Sequence, residues 1–462
     1  MNPQIIDLLI VIFLLAGTAR AEIYLRWTQD AVLPQSSLQT RNLVVPWRQG
    51  AASVIERAAL EGYSVYCEIT SENAGAAAAS LDSGAAGLAV SFDGRTIDQP
   101  NAVKQKVAQN SPMLLLNSGG KWPHIRSNMV VKSEGVLRVS SRTSQPWLEN
   151  NAAWVRIAQT VGPDLAPILT YSWDPINPIE DQQGARVEDY LLAIAEAGAL
   201  GAGLVLNLDE RFQKDLLLGK PRARSSWQEL LEYTTFYAWG VRRYEPVSNV
   251  GVVTSNHFIW FEVMNLLARH NVPFRLIPPD QLDRDSIEDL DLLIFLDPLE
   301  EDPARAAAEF ARAGKISVVA APGENLPWQD SRKDEGEKWI SYAQGKGSVI
   351  ELKEGIVDPD TFALDIRRIL GEERRILDIW NGITVLAGLY REPQGSGQLL
   401  HLLNYSHHPL SVQVRVKGTF TIVQFESPER PSELLPYEHR NGFTEFTIPW
   451  LRIGGRVFLD SK

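Results

Sequence analysis

The stretch at residues 84–94, GAAGLAVSFDG, predicts a buried β-strand that ends in an acidic residue. Its apolar residues, Leu88 to Val90 and Phe92, are typical of a parallel strand that is covered on both faces. Asp93 follows at the C-terminal end of this strand. Because the catalytic residues of a (β/α)8 barrel lie at the C-terminal ends of its strands, Asp93 is a candidate catalytic residue. The alternative is an aspartate that caps the following turn or helix.

Short apolar segments of the same kind recur through the first half of the chain. Eight are found, at residues 23–27, 43–47, 64–69, 87–92, 113–117, 129–133, 168–173 and 204–208. Their number and spacing predict an α/β fold of the (β/α)8 type, a TIM-like barrel over residues 22–246. Two connections lack a helical period, at residues 28–42 and in the Gly/Pro-containing stretch 119–128. We therefore expect a barrel that is irregular on one side or incompletely closed.

Two further domains are predicted after the barrel. Residues 247–345 alternate short strands and helices, which indicates a flavodoxin-like doubly wound sheet. We expect this domain to be structural, because no glycine-rich phosphate loop follows its first strand and no cysteine lies within it. Asp297, before Pro298, is interpreted as a turn residue. Residues 346–462 contain short β-rich segments separated by turn residues, which predict an antiparallel β-sandwich.

Composition narrows the class of protein. The chain has 462 residues, 44% hydrophobic and 22% charged, as in globular proteins of several domains. A formal net charge of −12 without a basic patch argues against a nucleic-acid partner. The single cysteine, Cys67, excludes an intramolecular disulfide and a cysteine-based zinc site. No metal site and no cofactor are predicted.

The first 21 residues are interpreted as a signal peptide. An apolar run at residues 8–16 precedes Ala19-Arg20-Ala21, a sequence of the AxA cleavage type, although no Lys or Arg comes before the run. The run is too short to span a bilayer as a helix. We expect a secreted or periplasmic protein without stable membrane insertion after cleavage. An uncleaved membrane anchor is the alternative.

The order of the three domains resembles that of multidomain bacterial glycoside hydrolases. The resemblance is carried by FYAWGVRRYEPVSNVGVVTS at residues 236–255, and by HLLNYS and ESPE at residues 401–406 and 426–429. The layout is similar to that of family 42 β-galactosidases, which have a barrel, a flavodoxin- or glutamine-amidotransferase-like domain and a β-sandwich. That family has catalytic glutamates at the ends of strands four and seven. Here these positions are Asp93 and Asp174, so the resemblance implies a reaction class and leaves the family unassigned.

Cleavage of a glycosidic bond requires two carboxyl groups, one as acid and one as nucleophile or base. We interpret Asp93 as the nucleophile or electrostatic stabiliser and Asp174 as the general acid. Glu68, Asp209 and Glu210 also lie near the C-terminal ends of predicted strands and are further candidates. For Asp209 and Glu210 the alternative is an N-cap and a first-turn acid of the next helix.

Other side chains at the same strand ends suit sugar binding, because aromatic rings pack on the apolar face of a sugar and amides bind its hydroxyls. The candidates are Trp47, Asn117, Trp122, Tyr171, Trp173 and Asn207. The alternative is a core position for the aromatic residues and loop hydrogen bonding for the amides.

The sequence thus favours an exported enzyme that hydrolyses O-glycosyl bonds of a carbohydrate substrate. A non-catalytic glycan-binding or scaffold protein on the same fold is the second hypothesis, since a fold does not fix a function. A homo-oligomer is left open.

Overall fold

The computed structural model describes residues 22–70, 84–92, 113–126, 130–133, 136–139, 146–161, 167–172, 184–238, 244–393, 395–406 and 408–461. Its largest sheets are a closed parallel barrel, a seven-stranded mixed sheet and two sheets of six and four strands. Within these residues, no helix combines the length and apolar character needed to cross a membrane.

The strands of the first region are β1 (Ile23–Arg26), β2 (Asn42–Pro46), β3 (Ser64–Ile69), β4 (Gly87–Phe92), β5 (Met113–Lys121), β6 (His124–Arg126), β7 (Val130–Ser133), β8 (Val136–Val139), β9 (Trp147–Glu149), β10 (Ile168–Ser172) and β11 (Gly203–Asn207). Its helices are α1 (Gln35–Leu38), α2 (Ala51–Leu60), α3 (Ala152–Val161), α4 (Val187–Leu200), α5 (Glu210–Leu217) and α6 (Pro221–Tyr237). Seven of these strands close the barrel in the order β1-β2-β3-β4-β5-β10-β11, and all neighbours are parallel.

The predicted TIM-type barrel is confirmed, and within the described residues it has seven strands instead of the expected eight. The sixth predicted segment, at residues 129–133, does not join the barrel; β7 pairs with β8 in a separate antiparallel ribbon. Only two residues separate these strands in the sequence, whereas a parallel neighbour needs a crossover of about a dozen or more. The departure lies on the β5 side, where one of the two irregular connections was expected.

The barrel interior is identified by one apolar cluster to which all seven strands contribute. Its members are Tyr24, Val44, Tyr66, Ala89, Leu114, Leu116, Ile168 and Val205. Side chains two positions apart on a strand share a face. The positions two residues after Tyr24, Tyr66 and Val205 therefore also face the interior, one layer closer to the C-terminal mouth. They are Arg26, Glu68 and Asn207.

The second region contains β13 (Val250–Val253), β14 (Phe274–Ile277), β15 (Leu292–Phe295), β16 (Ile316–Val319), β17 (Lys333–Glu335), β18 (Trp339–Gln344) and β19 (Gly347–Leu352). Its helices are α7 (Phe261–Arg269), α8 (Arg284–Ile287), α9 (Glu301–Arg312) and α10 (Pro359–Arg374), with a short 3-10 helix at Pro279–Gln281. The strand order is β14-β13-β15-β16-β19-β18-β17, and the first five strands are parallel. This is the expected flavodoxin-like arrangement.

One strand and one helix belong to this region, although residues 346–462 were predicted to form the sandwich. β19 pairs in parallel with β16. Helix α10 packs through Phe362 and Ile366 into the apolar core that also contains Met264 of α7. The β18–β19 hairpin resembles the antiparallel pattern that follows it, because the distant parallel partner of β19 cannot be recognised from local sequence.

The sandwich consists of β12 (Glu245–Pro246), β20 (Leu377–Trp380), β21 (Val385–Arg391), β22 (Gln398–Asn404), β23 (Leu410–Lys417), β24 (Ile422–Ser427), β25 (Arg430–Leu434), β26 (Tyr437–Arg440), β27 (Phe443–Leu451) and β28 (Gly454–Asp460). Six strands form one sheet, in the order β12-β21-β22-β28-β24-β25, and four form the other, β20-β23-β27-β26. Side chains from both sheets, such as Val414 and Phe425, share one core.

Both later regions pack against the barrel. Leu403 and Tyr405 of the sandwich join the same core cluster as the apolar residues of α4. On the other side, Asn265 of α7 accepts a hydrogen bond from the Ala153 amide at 3.0 Å and donates one to the Asn150 carbonyl at 3.1 Å. The barrel is thus held from two directions through backbone and side-chain contacts.

Candidate active site

The C-terminal mouth of the barrel contains a small polar cluster formed by β1, β3 and β11. The Arg26 Nε atom donates to Glu68 Oε2 at 2.7 Å, and its Nη1 atom lies 3.5 Å from Asn207 Oδ1. Arg26 reaches Glu68 across β2, which lies between their strands. The side chains of Arg26 and Glu68 are 28% and 20% exposed. A carboxylate, a guanidinium and an amide are therefore accessible together above the apolar interior.

Gln213 of α5 fixes the backbone around this cluster. Its side chain is fully buried. Its Oε1 atom accepts from the Thr28 amide at 2.9 Å, just after β1, and its Nε2 atom donates to the Leu208 carbonyl at 2.8 Å, just after β11. The ends of β1 and β11 are held together at the point where the barrel closes, which positions Arg26 and Asn207.

Two of the predicted acids have the capping geometry that was the alternative interpretation. The Asp209 side chain is the N-cap of α5 and accepts from the Arg211 amide at 2.7 Å. Glu210 is exposed in the first turn of the same helix, where its charge is favourable to the helix dipole. Asp93 and Asp174 come after Phe92 and Ser172, the last residues of β4 and β10, and lie outside the described residues.

The predicted sugar-binding residues fall into two groups, those that face the barrel interior and those that face the surrounding helices. Asn207 is in the mouth. Trp47, Trp122 and Tyr171 instead contact the core between the barrel and its helices, which is the core position given as the alternative interpretation of the aromatic residues. Trp47 follows the interior-facing Pro46, and the alternation of a strand turns it outward. Trp173 and the side chain of Asn117 lie outside the described residues, although the Asn117 backbone pairs with β4 and β10.

A second glutamate, Glu196 of α4, is the centre of a fully buried hydrogen-bond network and is not among the predicted site residues. It accepts from the Asn151 amide at 3.1 Å, from Asn151 Nδ2 at 2.6 Å, from the Tyr171 hydroxyl at 2.7 Å and from the Tyr405 hydroxyl at 2.5 Å. Burial raises the pKa of Glu196, and the four hydrogen bonds oppose that effect. The signal was present in the sequence, as a lone acid inside the apolar run YLLAIAEAGAL at residues 190–200.

The Glu196 network supports the barrel rim from outside. Asn151 accepts from the Lys121 amide and donates to the Lys121 carbonyl, both at 2.8 Å, which anchors the end of β5. Tyr171 anchors the end of β10, and Tyr405 connects both strands to the sandwich. A carboxylate has about four acceptor positions, so four donors leave Glu196 none for a substrate.

No group of three or more His, Cys, Asp or Glu side chains in the described part of the chain is arranged to hold a metal ion. The expected absence of a cofactor stays a prediction from the sequence.

Comparison with known proteins identifies the fold. No protein-family model and no curated protein matches the chain. Among solved structures, α-L-fucosidase isoenzyme 2 from Paenibacillus thiaminolyticus is similar over 96% of this chain and 100% of that chain, with a TM-score of 0.57 and 12% identity. The cold-adapted β-galactosidase from Rahnella sp. R3 is similar over 94% of this chain and 99% of that chain, with a TM-score of 0.51 and 11% identity. The chain therefore has a fold like that of multidomain glycoside hydrolases, as the order of its domains predicted.

Proposed function

We propose that the protein is a glycoside hydrolase whose site is the C-terminal mouth of the barrel. The observation that carries this proposal is the cluster of Glu68, Arg26 and Asn207 in the uppermost interior layer. It offers a charged carboxylate, a cation and a hydroxyl-binding amide to a molecule that enters the mouth. Glu68 supplies one of the two carboxyl groups that hydrolysis of a glycoside needs, and Arg26 and Asn207 are groups that can bind sugar hydroxyls.

Glu68 suits a role that uses its negative charge, because the Arg26 guanidinium is bonded to it at 2.7 Å. We assign it as nucleophile or as the base that activates water. In a retaining mechanism Arg26 also stabilises the carboxylate when it leaves the glycosyl-enzyme intermediate. Asp93, which follows the neighbouring strand β4 in the sequence, is the alternative for this role.

The proton donor in this proposal is Asp174. It comes two residues after Ser172, the end of β10, and Trp173 beside it is the proposed aromatic contact for the sugar ring. Asn117 and Asn207 are proposed to bind sugar hydroxyls. Together these residues give the two carboxyl groups and the binding groups that the reaction requires.

A glycan-binding protein without catalysis is the second candidate. Arg26 already pairs with Glu68, as a purely structural ion pair in the mouth would do. In that case the mouth binds a sugar, and neither the wild type nor any variant that lacks an acid hydrolyses it.

The proposed cellular location is based on the N-terminal sequence. The apolar run and the AxA-type sequence before Glu22 support export, and we propose that the substrate is a carbohydrate outside the cytoplasm.

The proposal is tested by hydrolysis of a panel of chromogenic aryl glycosides. Wild type is compared with Glu68→Gln, Asp93→Asn and Asp174→Asn, and with Asp209→Asn as a matched control whose new side chain still caps α5. We expect hydrolysis of at least one glycoside, a loss of roughly 10³-fold or more for Glu68→Gln and Asp174→Asn, and no more than a small loss for Asp209→Asn. The proposal is contradicted if Glu68→Gln and Asp174→Asn both keep full activity. It is also contradicted if the wild type hydrolyses none of the glycosides.

A further inference from the structure

A pocket of about 350 Å³ opens in the second region, at the C-terminal edge of its sheet. We call it the Trp339 pocket. It lies between the beginning of β18, the end of β19 and the first turns of α10. The side chains that matter for its chemistry are Lys338, Trp339, Leu352, Ile356, Phe362 and Asp365. Its volume is within the range of pockets that bind small ligands.

The floor of the pocket is apolar and aromatic. Trp339 is half-buried and packs against the core that contains Phe362 and Leu352. At the edge, the side chain of Val357 is 78% exposed. An indole ring held from behind by a core is a rigid surface on which the apolar face of a sugar ring can pack.

One wall of the pocket supplies hydrogen-bonding groups. Asp365 is buried, with its side chain 9% exposed, and it accepts from Lys338 Nζ at 2.9 Å and from Arg368 Nη1 at 2.6 Å. Asp365 lines the pocket, and these two bonds do not saturate the roughly four acceptor positions of its carboxylate. Lys338 is half-exposed and has further N–H donors. An acceptor and a donor therefore lie side by side, as adjacent sugar hydroxyls require.

The pocket and the barrel border the same interface between the two regions. Trp147 of β9 and Trp339 pack against one apolar core. At the start of α7, the ring of Phe261 contacts that of Trp154 of α3, with centroids 5.0 Å apart. The backbone of Lys121, the last residue of β5, is hydrogen-bonded to the side chain of Asn151, shortly before α3. A chain of sugars that leaves the mouth near the end of β5 can therefore follow this boundary.

We propose that the Trp339 pocket binds a sugar residue of a neutral glycan chain, whose other end occupies the barrel mouth. The ligand class rests on the proposed function. A neutral glycan is favoured over an acidic one because Glu337, Glu354 and Asp358 line the same pocket and the chain carries a net charge of −12. The pocket thus makes the protein one that acts on oligosaccharides or polysaccharides rather than on short glycosides alone.

The test is affinity electrophoresis in native gels that contain galactomannan, xylan, mixed-linkage β-glucan or soluble starch. Wild type is compared with Trp339→Ala and Lys338→Ala. Trp380→Ala is the matched control, since Trp380 is an exposed tryptophan of the sandwich outside the pocket. Folding of each variant is checked by near-UV circular dichroism, and hydrolysis of an aryl monoglycoside is measured in parallel.

We expect at least one polysaccharide to retard the wild type, and Trp339→Ala to raise the dissociation constant by about tenfold or more, with a smaller rise for Lys338→Ala. Trp380→Ala should bind as the wild type does, and no variant should change hydrolysis of the monoglycoside. The inference is overturned if no polysaccharide retards the wild type, or if folded Trp339→Ala is retarded equally. If Trp339→Ala does not fold, unchanged retardation of Lys338→Ala overturns it.

The two proposals fail separately. Silence of every aryl glycoside together with reduced retardation of Trp339→Ala rejects the proposed hydrolase and leaves the binding site. Hydrolysis that depends on Glu68 together with unchanged retardation rejects the binding site and leaves the hydrolase.

Discussion

Glu68 and Glu196 lie on opposite sides of the same barrel wall, and their surroundings differ in every respect that decides a role. Glu68 faces the interior, is 20% exposed and, among the described residues, forms one ion pair, to Arg26. Glu196 lies behind β5 and β10, is fully buried and accepts four hydrogen bonds. A carboxylate with free acceptor positions and solvent access can meet a substrate, whereas a saturated one can only hold the structure together.

Asp297 in the second region supports the same distinction. It follows β15 at the C-terminal edge of the sheet, a position that suits a ligand site. However, it accepts five hydrogen bonds, from Thr254, Ser255, Asn256 and Trp260. Burial raises its pKa, but these hydrogen bonds outweigh burial and lower it to about 2. A position at the end of a strand is therefore not sufficient for a carboxylate to bind a ligand. Its exposure and the number of hydrogen bonds that it already accepts also matter.

The largest expected effect separates the two glutamates by activity. Glu68→Gln removes the charge in the mouth and should lower kcat/KM on the best aryl glycoside by roughly 10³-fold or more, with little change in Tm. Glu196→Gln should lower Tm and leave kcat/KM of the folded protein within about tenfold. Steady-state kinetics and thermal unfolding of both variants measure this contrast, and equal losses of kcat/KM would abolish it.

The next largest effect is expected on the free energy of unfolding, to which Glu196 should contribute. Glu196→Ala leaves the hydroxyls of Tyr171 and Tyr405 and the amide of Asn151 buried without their acceptor, and should cost about 3–5 kcal/mol of the free energy of unfolding. Urea unfolding measures it. The matched control is Glu56→Ala on the exposed face of α2, for which about 0.5 kcal/mol or less is expected. Similar losses in the two variants would show that the network contributes nothing.

A smaller effect is expected at Asp297. Asp297→Asn keeps the shape but removes the charge that five donors approach, and should cost about 2–3 kcal/mol. Because the pKa is lowered in the folded protein, this stabilisation is present above about 3.8 and is lost as pH falls towards about 2. Urea unfolding at pH 7 and at pH 3 tests both statements. A variant as stable as the wild type at pH 7 would contradict them.

The smallest effect is expected at His401, a buried polar residue without a hydrogen-bond partner among the described residues. Neither of its ring nitrogens has a hydrogen bond within the described structure, and it packs between the rings of Tyr237 and Tyr390. His401→Leu should therefore be neutral or stabilising by about 1–2 kcal/mol at pH 7.

The pH dependence at His401 gives the second readout. Burial, with Arg456 nearby, lowers the pKa of His401 from 6.5 to about 3, so the unfolded chain binds an additional proton between these values. Stability should fall as pH decreases from about 6.5 towards 3, and His401→Leu should reduce that fall. Identical pH profiles of wild type and variant would count against this interpretation.

The fold could be predicted where local patterns are sufficient. Uninterrupted apolar segments gave the barrel strands, and alternating strands and helices gave the flavodoxin-like sheet. The sixth predicted barrel strand was wrong because residues 130–133 pair with a strand that begins only three residues later. The strand β19 was assigned to the wrong domain because its parallel partner β16 is distant in sequence. Long-range pairing was the information that the sequence did not carry.

The proposed site could be predicted only in part, for a related reason. Glu68 and Asn207 were candidates because they lie at or near the C-terminal ends of strands, but the side of the barrel wall that a residue faces depends on strand alternation and register. Trp47 and Tyr171 are near the same ends and face outward. Arg26 was missed because its bond to Glu68 crosses β2, a proximity that becomes visible only in the closed barrel.

The most direct measurement is chemical rescue of Glu68→Ala on an activated aryl glycoside by sodium azide. A small anion can enter the space left by the carboxylate and replace its attack on the sugar. We predict that Glu68→Ala loses nearly all hydrolysis and that azide restores part of it, with a glycosyl azide as product. Hydrolysis by Glu68→Ala at the wild-type rate, without azide, would contradict the assignment of the barrel mouth as the catalytic site.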